Sequence, residues 1–322
     1  MRVSVILCTY QGERFLAEQL QSIFAQTWRP DEIIVSDDAS TDATIAIAEK
    51  MLRSSGIAYE LHANAQNLGF RQNFAQAMQR ASGDILFLSD QDDVWHPEKI
   101  ARMLLPFERP ETVMAFHDAA LVDSRLQPLA PSFWRTMSFD SAPFQKKDYH
   151  RLLVSNVVQG SASAFRRSLL ADALPIPDCA IHDEWLALFA ALRGGLVPVP
   201  DVLMQYRQNE GNAIGAGAVT MRRQLSWLRH FREKIEKSHQ ELCRRRDMIG
   251  ACRNRWNGDA SASRLLALVE AYTQWLSKRD DDICRGVPKI LLHGIKYVSM
   301  MRIKKLAFKA WCKDLMAAHL HV

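Results

Sequence analysis

Long uncharged apolar runs are missing from this sequence, and with them the segments of roughly 18 to 20 residues that cross a bilayer as a helix. Cysteine is sparse: six thiols, at 8, 179, 243, 252, 284 and 312, form no Cys-x-x-Cys pair and no His/Cys cluster at zinc-ligand spacing. That argues against a disulfide scaffold or a structural zinc site and for free thiols in a reducing compartment. The start carries one Arg and then the strand-like Val3 to Leu7, not the apolar core of a secretory leader, so a cytoplasmic protein is expected. A glycine-rich phosphate loop is lacking too. After the first apolar run, Cys8-Thr9-Tyr10-Gln11-Gly12-Glu13-Arg14-Phe15 offers one Gly and one Arg, poor support for a nucleotidyltransferase. Internal repeats and low-complexity segments are absent.

What is present is an ordinary globular composition, 48% hydrophobic and 24% charged over 322 residues, which predicts one large domain with a smaller appendage. The charge is divided unevenly. Residues 216–322 hold 22 Lys+Arg against 10 Asp+Glu, leaving 19 against 26 in the first 215. An acidic part joined to a basic one points to an anionic partner for the second part, a membrane surface or a nucleic acid, unless the excess is a solvated helical face. Arg244-Arg245-Arg246 contributes to that excess. Near the end Ile303, Leu306, Ala307, Ala310 and Trp311 share one helical face, with Lys305, Lys309 and Lys313 on the other. Such a helix suits an anionic membrane interface or packs on a core.

Strand and helix patterns alternate over the first hundred residues. Val3 to Leu7 precedes helical spacing at Phe15, Leu16, Leu20, Ile23 and Phe24. The unit recurs as Glu32 to Ser36 with a helix from Thr41 to Arg53, capped by Ser40 or Thr41. It recurs again as Tyr59 to Ala63 with Arg71 to Arg80, and as Ile85 to Leu88 with a helix from Pro97 to Leu105 that has Pro97 at its first position. Shorter strands near Val113 to His117, Ser161 to Phe165 and Leu203 to Arg207 and a helix from His182 to Leu192 follow, until the glycine-rich residues 211–217 end the domain. The pattern predicts an α/β domain over residues 1–215, a mostly parallel, Rossmann-like sheet with helices on both faces, followed by a basic α-helical extension over residues 216–322. In such sheets ligands bind outside the carboxyl ends of the strands.

Three polar loops fall at those ends, and the third concentrates the chemistry. Asp90-Gln91-Asp92-Asp93 directly follows the apolar strand, and carboxylates so close repel unless neutralised. A divalent cation such as Mg²⁺ or Mn²⁺ does this through oxygen ligands and commonly shares itself with a diphosphate. A plain solvated loop needs fewer acids. Asp37-Asp38-Ala39-Ser40-Thr41-Asp42 places acceptors for a base imide or ribose hydroxyl at the end of the second strand. In His182-Asp183-Glu184-Trp185 an acid opens a helix, either as a first-turn partner of the helix dipole or as a general base, with Asp183 the candidate.

These segments, in this order, resemble family 2 of the glycosyltransferases, inverting enzymes of the GT-A fold. VSVILCTYQGERFLAEQLQSIFAQT is similar to the family's opening strand and helix, DDASTD to its nucleotide-binding turn, NLGFRQNFAQAM to a third block and SDQDDVWHPEKI to its metal site. The resemblance covers residues 1–215. It implies donor contacts at Thr9, Tyr10, Glu13, Asp38, Arg71, Asp90 and Gln91, a divalent cation on Asp92 and Asp90, and Asp183 as base, with His182 where the family commonly has Glu. Trp95, His182, Glu184, Trp185 and Tyr206 are candidates to touch acceptor or sugar. DQDDVW, HDEW and Tyr206-Arg207-Gln208 look most like rhamnosyltransferases of bacterial surface polysaccharide synthesis (O-antigen, capsule or exopolysaccharide). That implies dTDP-L-rhamnose as donor, with UDP-Gal, UDP-Glc or another nucleotide hexose as the alternative, and a saccharide or lipid-linked acceptor. A non-catalytic membrane or nucleic-acid adaptor would account for the basic residues but not for the carboxylates, and no nucleic-acid partner is expected.

Overall fold

The computed structural model describes residues 1–208 and 231–256, together with 267, 269, 271, 272, 274, 275 and 278. The glycine-rich stretch 211–217, the amphipathic segment 303–313 and most of the basic extension lie outside the described residues. Two compact units are distinguished. One comprises Met1–Tyr149, Asn156–Ile176 and Ile181–Gly217; the other groups His150–Ser155 and Pro177–Ala180 with the chain from Ala218 on.

The first unit is built on a nine-stranded sheet: β1 (Val3–Thr9), β2 (Glu32–Asp37), β3 (Ala58–Ala63), β4 (Ile85–Ser89), β5 (Val94–Trp95), β6 (Met114–Val122), β7 (Pro128–Ala130), β8 (Ser163–Arg166) and β9 (Leu196–Arg207). Its order is β3-β2-β1-β4-β8-β6-β9-β5, with β7 paired to β6. Strands β3, β2, β1, β4, β6 and β9 run one way, while β8, β5 and β7 run against them. β1 and β4 are buried along their whole length, which is why each reads as an unbroken apolar run and not as an alternation.

Helices α1 (Leu16–Phe24), α2 (Thr44–Ser55), α3 (Phe70–Arg80) and α4 (Lys99–Leu104) follow the first strands, and the short α5 (Phe133–Thr136), α6 (Ala142–Gln145), α7 (His150–Val154) and α8 (Leu170–Ala173) precede α9 (His182–Leu192). α1 turns Leu16, Leu20 and Ile23 inward, the i, i+4, i+7 spacing of one apolar face. α2 ends on Gly56 at φ 68, a left-handed cap. All eleven residues of α9 are buried, so it is a core helix and not a surface one. Phe116 on β6 packs against Trp134, Phe139 and Phe144 at centroid separations of 5.4 to 5.9 Å. In the second unit α10 (Phe231–Arg255) is the long helix, and its Arg245 donates to the Leu152 carbonyl at 2.6 Å.

Several boundaries differ from expectation. α2 starts at Thr44, and neither Ser40 nor Thr41 caps it. Those hydroxyls bond instead to Asp37, to the Gln11 amide N–H and to the Gln11 side chain, and Asp42 accepts the Thr44 N–H at 3.0 Å. α4 starts at Lys99, two residues past Pro97, whose carbonyl accepts Thr27 N–H at 2.8 Å. β9 begins seven residues before Leu203, at Leu196, and its early part is disguised in the sequence by Pro198 and Pro200, which cannot donate to a ladder. Gly195 lets that strand start close to its neighbour. Its carbonyl accepts from Val113 and Met114, and a Cβ there would lie 2.2 Å from the Glu111 carbonyl oxygen.

Candidate active site

The carboxyl ends of β1, β2 and β4 meet through hydrogen bonds between their loops. Thr9 Oγ1 donates to Asp37 at 2.7 Å, and Asp37 also receives Ser40 N–H and Oγ–H. Asp38 is buried, and its carboxylate accepts from Leu68 N–H and Gly69 N–H at 2.8 Å and from Asn64 at 3.0 Å, so it organises the loop that leads into α3. Gln91 reaches back to β1: its Oε1 accepts Tyr10 N–H at 2.8 Å and its Nε2 donates to the Tyr10 carbonyl at 2.9 Å. A Cβ on residue 12 would lie 2.2 Å from that same Oε1, so a side chain there would displace the Gln91 amide. Glu13 accepts Ala43 N–H at 3.0 Å, just ahead of α2. Gln11 (φ 50) and Ala39 (φ 65) are held in the left-handed region, a strain of about 1–3 kcal/mol each that side-chain-bearing residues retain where surrounding contacts enforce it. Tyr10 leaves its ring 48% exposed above this frame, and Arg71 stands half-buried in the first turn of α3.

Three acids of the β4 loop have three environments. Asp90 and Asp92 are half-buried, whereas Asp93 is sealed. Burial and the Asp92 charge push the Asp90 carboxyl up to about 6, against the opposing pull of Ser161 and Lys99. Burial, then Asp92 and Asp90, push Asp93 well above the usual carboxylate range. One Asp93 oxygen accepts Arg207 N–H at 3.1 Å. Asp93 therefore faces the interior and is not open to a cation. Two half-exposed acids remain. Among the described residues no group of three His, Cys, Asp or Glu side chains gathers as a metal cage. The donor set fits a hard cation that takes its remaining oxygens from a bound phosphate group, not one that the protein alone encloses.

Two cations from elsewhere in the chain enter this loop. Arg207, 1% exposed on β9, donates through Nε to the Asp92 carbonyl at 2.7 Å and through Nη1 to the Ser124 carbonyl at 2.8 Å. It also pairs with Glu18 of α1 and lies over the Phe15 ring at 4.5 Å. Lys99, fully buried in α4, donates from Nζ to the Ser161 carbonyl at 2.5 Å and sits 3.7 Å over the Trp95 ring. Neither was recognised from sequence. Arg207 was visible only as part of a Tyr-Arg-Gln string, and Lys99 looks like an exposed residue at the start of a helix.

Asp183 opens α9, nearly buried at 9% exposure, and accepts Glu184 N–H at 2.6 Å, Asn156 Nδ2–H at 3.1 Å and Gly160 N–H at 3.1 Å. Burial first, and then the Glu184 charge, push its carboxyl up to about 7 despite those hydrogen bonds, where a base suited to neutral pH lies. The residues holding it, Asn156 and Gly160, were also missed by the sequence reading; the polar and small residues in Ser155-Asn156-Val157-Val158-Gln159-Gly160-Ser161 were the available signal. The same segment touches the acid run, because Ser161 acts on Asp90 and Asp93 and Gln159 on Tyr206. Asp183 and the acid run are thus brought together through one short loop.

Four of the candidate sugar contacts are corrected by burial. Trp95 is 2% exposed beneath Lys99. Trp185 is fully buried, its Nε1–H donating to the Ala173 carbonyl at 2.6 Å. His182 is stacked on Phe74 at 4.3 Å and edge-on to Phe70, with neither ring nitrogen hydrogen-bonded among the described residues; burial lowers it to about 3, so it is a neutral packing residue. Glu184 is 5% exposed. Trp95 lies two residues past Asp93 on a strand that turns it inward, and the other three lie in α9, whose every residue is buried. Tyr206 stays half-buried beside the carboxylates, which together with burial push its hydroxyl up.

With this geometry in hand, the comparisons are direct. The family described as Glycosyl transferase family 2 matches residues 4–174. A dTDP-rhamnosyl transferase of Shigella flexneri is 27% identical over 221 residues, 65% of this chain and 74% of that protein. An uncharacterized Mycobacterium tuberculosis protein is 29% identical over 232 residues, 69% of this chain. The match spans 63% of the length of that mycobacterial relative. Among solved structures, Staphylococcus aureus TarS 1–349 in complex with UDP-GlcNAc aligns at a TM-score of 0.61 with 19% identity, covering 99% of this chain and 89% of that one. A Pyrobaculum calidifontis mannosyltransferase with GDP-Man and Mn²⁺ aligns at 0.56 with 20% identity, covering 99% and 86%. The described first unit has the GT-A type of α/β fold, and the chain belongs to glycosyltransferase family 2.

The buried Arg207 yields a specific expectation. Arg207→Met removes the partner of Glu18 and the donors to Asp92 and Ser124, and is expected to cost roughly 3 kcal/mol of stability. Equilibrium urea unfolding measures it, and a loss under about 1 kcal/mol would show that Arg207 does not hold the loop.

Proposed function

We propose that the chain is an inverting glycosyltransferase that moves a hexose from a nucleoside diphosphate to a hydroxyl of a saccharide or lipid-linked acceptor in bacterial cell-surface polysaccharide synthesis. The observation that carries this is the pair of acid sites joined by residues 156–161: a near-neutral carboxylate, Asp183, beside a loop whose next residue faces the Asp90 to Asp93 run.

Asp183 takes the proton of the acceptor hydroxyl as its oxygen bonds to the anomeric carbon. The bond from that carbon to the diphosphate breaks on the opposite face, so configuration inverts. Asp90 and Asp92 would hold a divalent cation, which when bound neutralises charge on the leaving diphosphate. The frame of Thr9, Tyr10, Glu13, Asp38, Arg71 and Gln91 shapes the place for base and ribose, mostly through backbone that these side chains position, with the Tyr10 ring the freest to stack. Tyr206, half-buried near the carboxylates, is the candidate retained for contact with acceptor or sugar. The likeness to the Shigella dTDP-rhamnosyl transferase favours dTDP-L-rhamnose as donor, with other nucleotide hexoses as the alternative, and the Mn²⁺ in the Pyrobaculum complex supports a metal requirement.

The roles separate on mutation. Asp183→Asn is expected to lower kcat by about 10²–10⁴-fold while leaving nucleotide binding near its original strength, whereas Asp92→Ala weakens Mn²⁺-dependent binding of the nucleoside diphosphate as well. Transfer assays paired with isothermal titration check both, and full transfer by Asp183→Asn would remove that residue from the base role. The pH dependence has a definite sign. A base must be unprotonated, and with Asp183 raised to about 7 the rate should climb through pH 7 and fall close to tenfold per unit below it. A profile flat from pH 5 to 8 sinks the assignment.

The excess of 22 Lys+Arg over 10 Asp+Glu in residues 216–322 supports peripheral contact with an anionic membrane. Among the described residues no helix is long and apolar enough to cross one. The full chain should float with phosphatidylglycerol vesicles at low salt and not with phosphatidylcholine ones; equal behaviour with both removes the membrane from the account.

A further inference from the structure

Lys99 has no exposed surface, although lysine is among the side chains least often sealed in a protein. A methionine or leucine would fill its volume without the cost of taking an ammonium out of water. What the ammonium adds is a set of contacts on two different segments. On one side is the Trp95 ring, two residues past Asp93 and 3.7 Å away, with Met204 Sδ at 3.8 Å, and the Asp90 and Asp93 charges act on the ammonium through space. On the other is the carbonyl of Ser161, 2.5 Å from Nζ. The residue before Ser161 is Gly160, whose N–H donates to Asp183 Oδ2 at 3.1 Å and whose carbonyl accepts Ser163 Oγ–H at 2.7 Å. A Cβ on residue 160 would lie 2.8 Å from His182 Nε2, so the dipeptide is confined by packing as well as by hydrogen bonds.

We infer that Lys99 is a positioning residue that ties the Asp90 to Asp93 loop to the Gly160–Ser161 dipeptide, so that the loop expected to receive the donor's diphosphate and the amide that orients Asp183 move as one. This rests on Asp183 being the general base. The tie works through the backbone: the largest influences on the Asp183 carboxyl are its own burial, Glu184, and hydrogen bonds from Glu184, Asn156 and Gly160. His182 beside it is neutral and packed on Phe74.

The test is Lys99→Met in the full chain, which keeps the length and apolar stem and removes the ammonium. Asp183 is followed by ¹³C-carboxyl NMR with no metal or nucleotide present. Its midpoint is expected to move upward by about half a unit or more as the Gly160 hydrogen bond loosens, since a hydrogen bond to the charged form is what holds a carboxyl down. In transfer assays at a pH below the midpoint, kcat should then fall about threefold or more, the equivalent of that shift, with KM for the nucleotide sugar unchanged. A folded Lys99→Met chain with an unmoved Asp183 midpoint overturns the inference, because a lysine that only filled space would lower thermal stability and leave that midpoint alone.

Should Lys99→Met not fold, the unsubstituted chain decides. Adding Mg²⁺ with thymidine diphosphate is expected to shift the Gly160 amide proton together with the Asp90 to Asp93 amides. Movement of the loop amides with a stationary Gly160 overturns the tie. No movement anywhere counts against the proposed nucleotide site instead, and the tie is then judged on Lys99→Leu, where an unmoved Asp183 midpoint overturns it.

Discussion

Carboxylates withdrawn from water at the open end of the sheet are the constraint around which this protein is arranged. Asp90, Asp92 and Asp93 crowd one loop, Asp183 lies nearly sealed at the start of a core helix, and each needs donors or cations to stay folded in place. Arg207 is drawn from the last strand to the Asp92 carbonyl and the Glu18 carboxylate, Lys99 is buried whole, and the loop of residues 156–161 turns the Gly160 N–H and the Asn156 side-chain amide onto Asp183. The same crowding that makes the site costly to fold makes it receptive to positive charge.

The division of labour among the acids follows from depth. Asp93 faces inward and accepts a backbone N–H, so it serves the loop's shape. Asp90 and Asp92 remain partly open and mutually repelling, which is the condition for recruiting a positive ion. Asp183 is raised first by burial and then by the Glu184 charge, and the backbone of the neighbouring loop holds it in place.

The fold was legible where one face or a whole strand is buried. β1 and β4 are continuous apolar runs, α1 repeats every turn, and α9 was placed with both ends correct. Legibility failed where distant partners decide. Residues 41–43 would extend α2 by propensity, yet Gln11 and Glu13 hold them as a turn. The first half of β9 contains two prolines and is a strand only because β6 lies beside it. In the site, surplus acids announced themselves, since capping or solvation leaves too many of them unexplained. Their compensating cations did not: a lysine after Pro-Glu at a helix start looks solvated until the fold closes over it. Aromatics beside the acids misled for the opposite reason. Neighbours in sequence project to different faces, and Trp95, Trp185 and His182 became core.

One strand running against its neighbours has a geometric consequence. β8 lies antiparallel to β4, with Ile85 opposite Arg166 and Phe87 opposite Ala164. The chain enters β8 through the turn Gly160–Ala162, and from that turn the Ser161 side chain acts on Asp90. A strand inserted in the common direction would have delivered its trailing end to this place and its leading loop to the far side of the sheet. By reversing, β8 brings its entrance, the turn Gly160–Ala162, to the end of β4, where one short piece of backbone serves both Asp183 and Asp90.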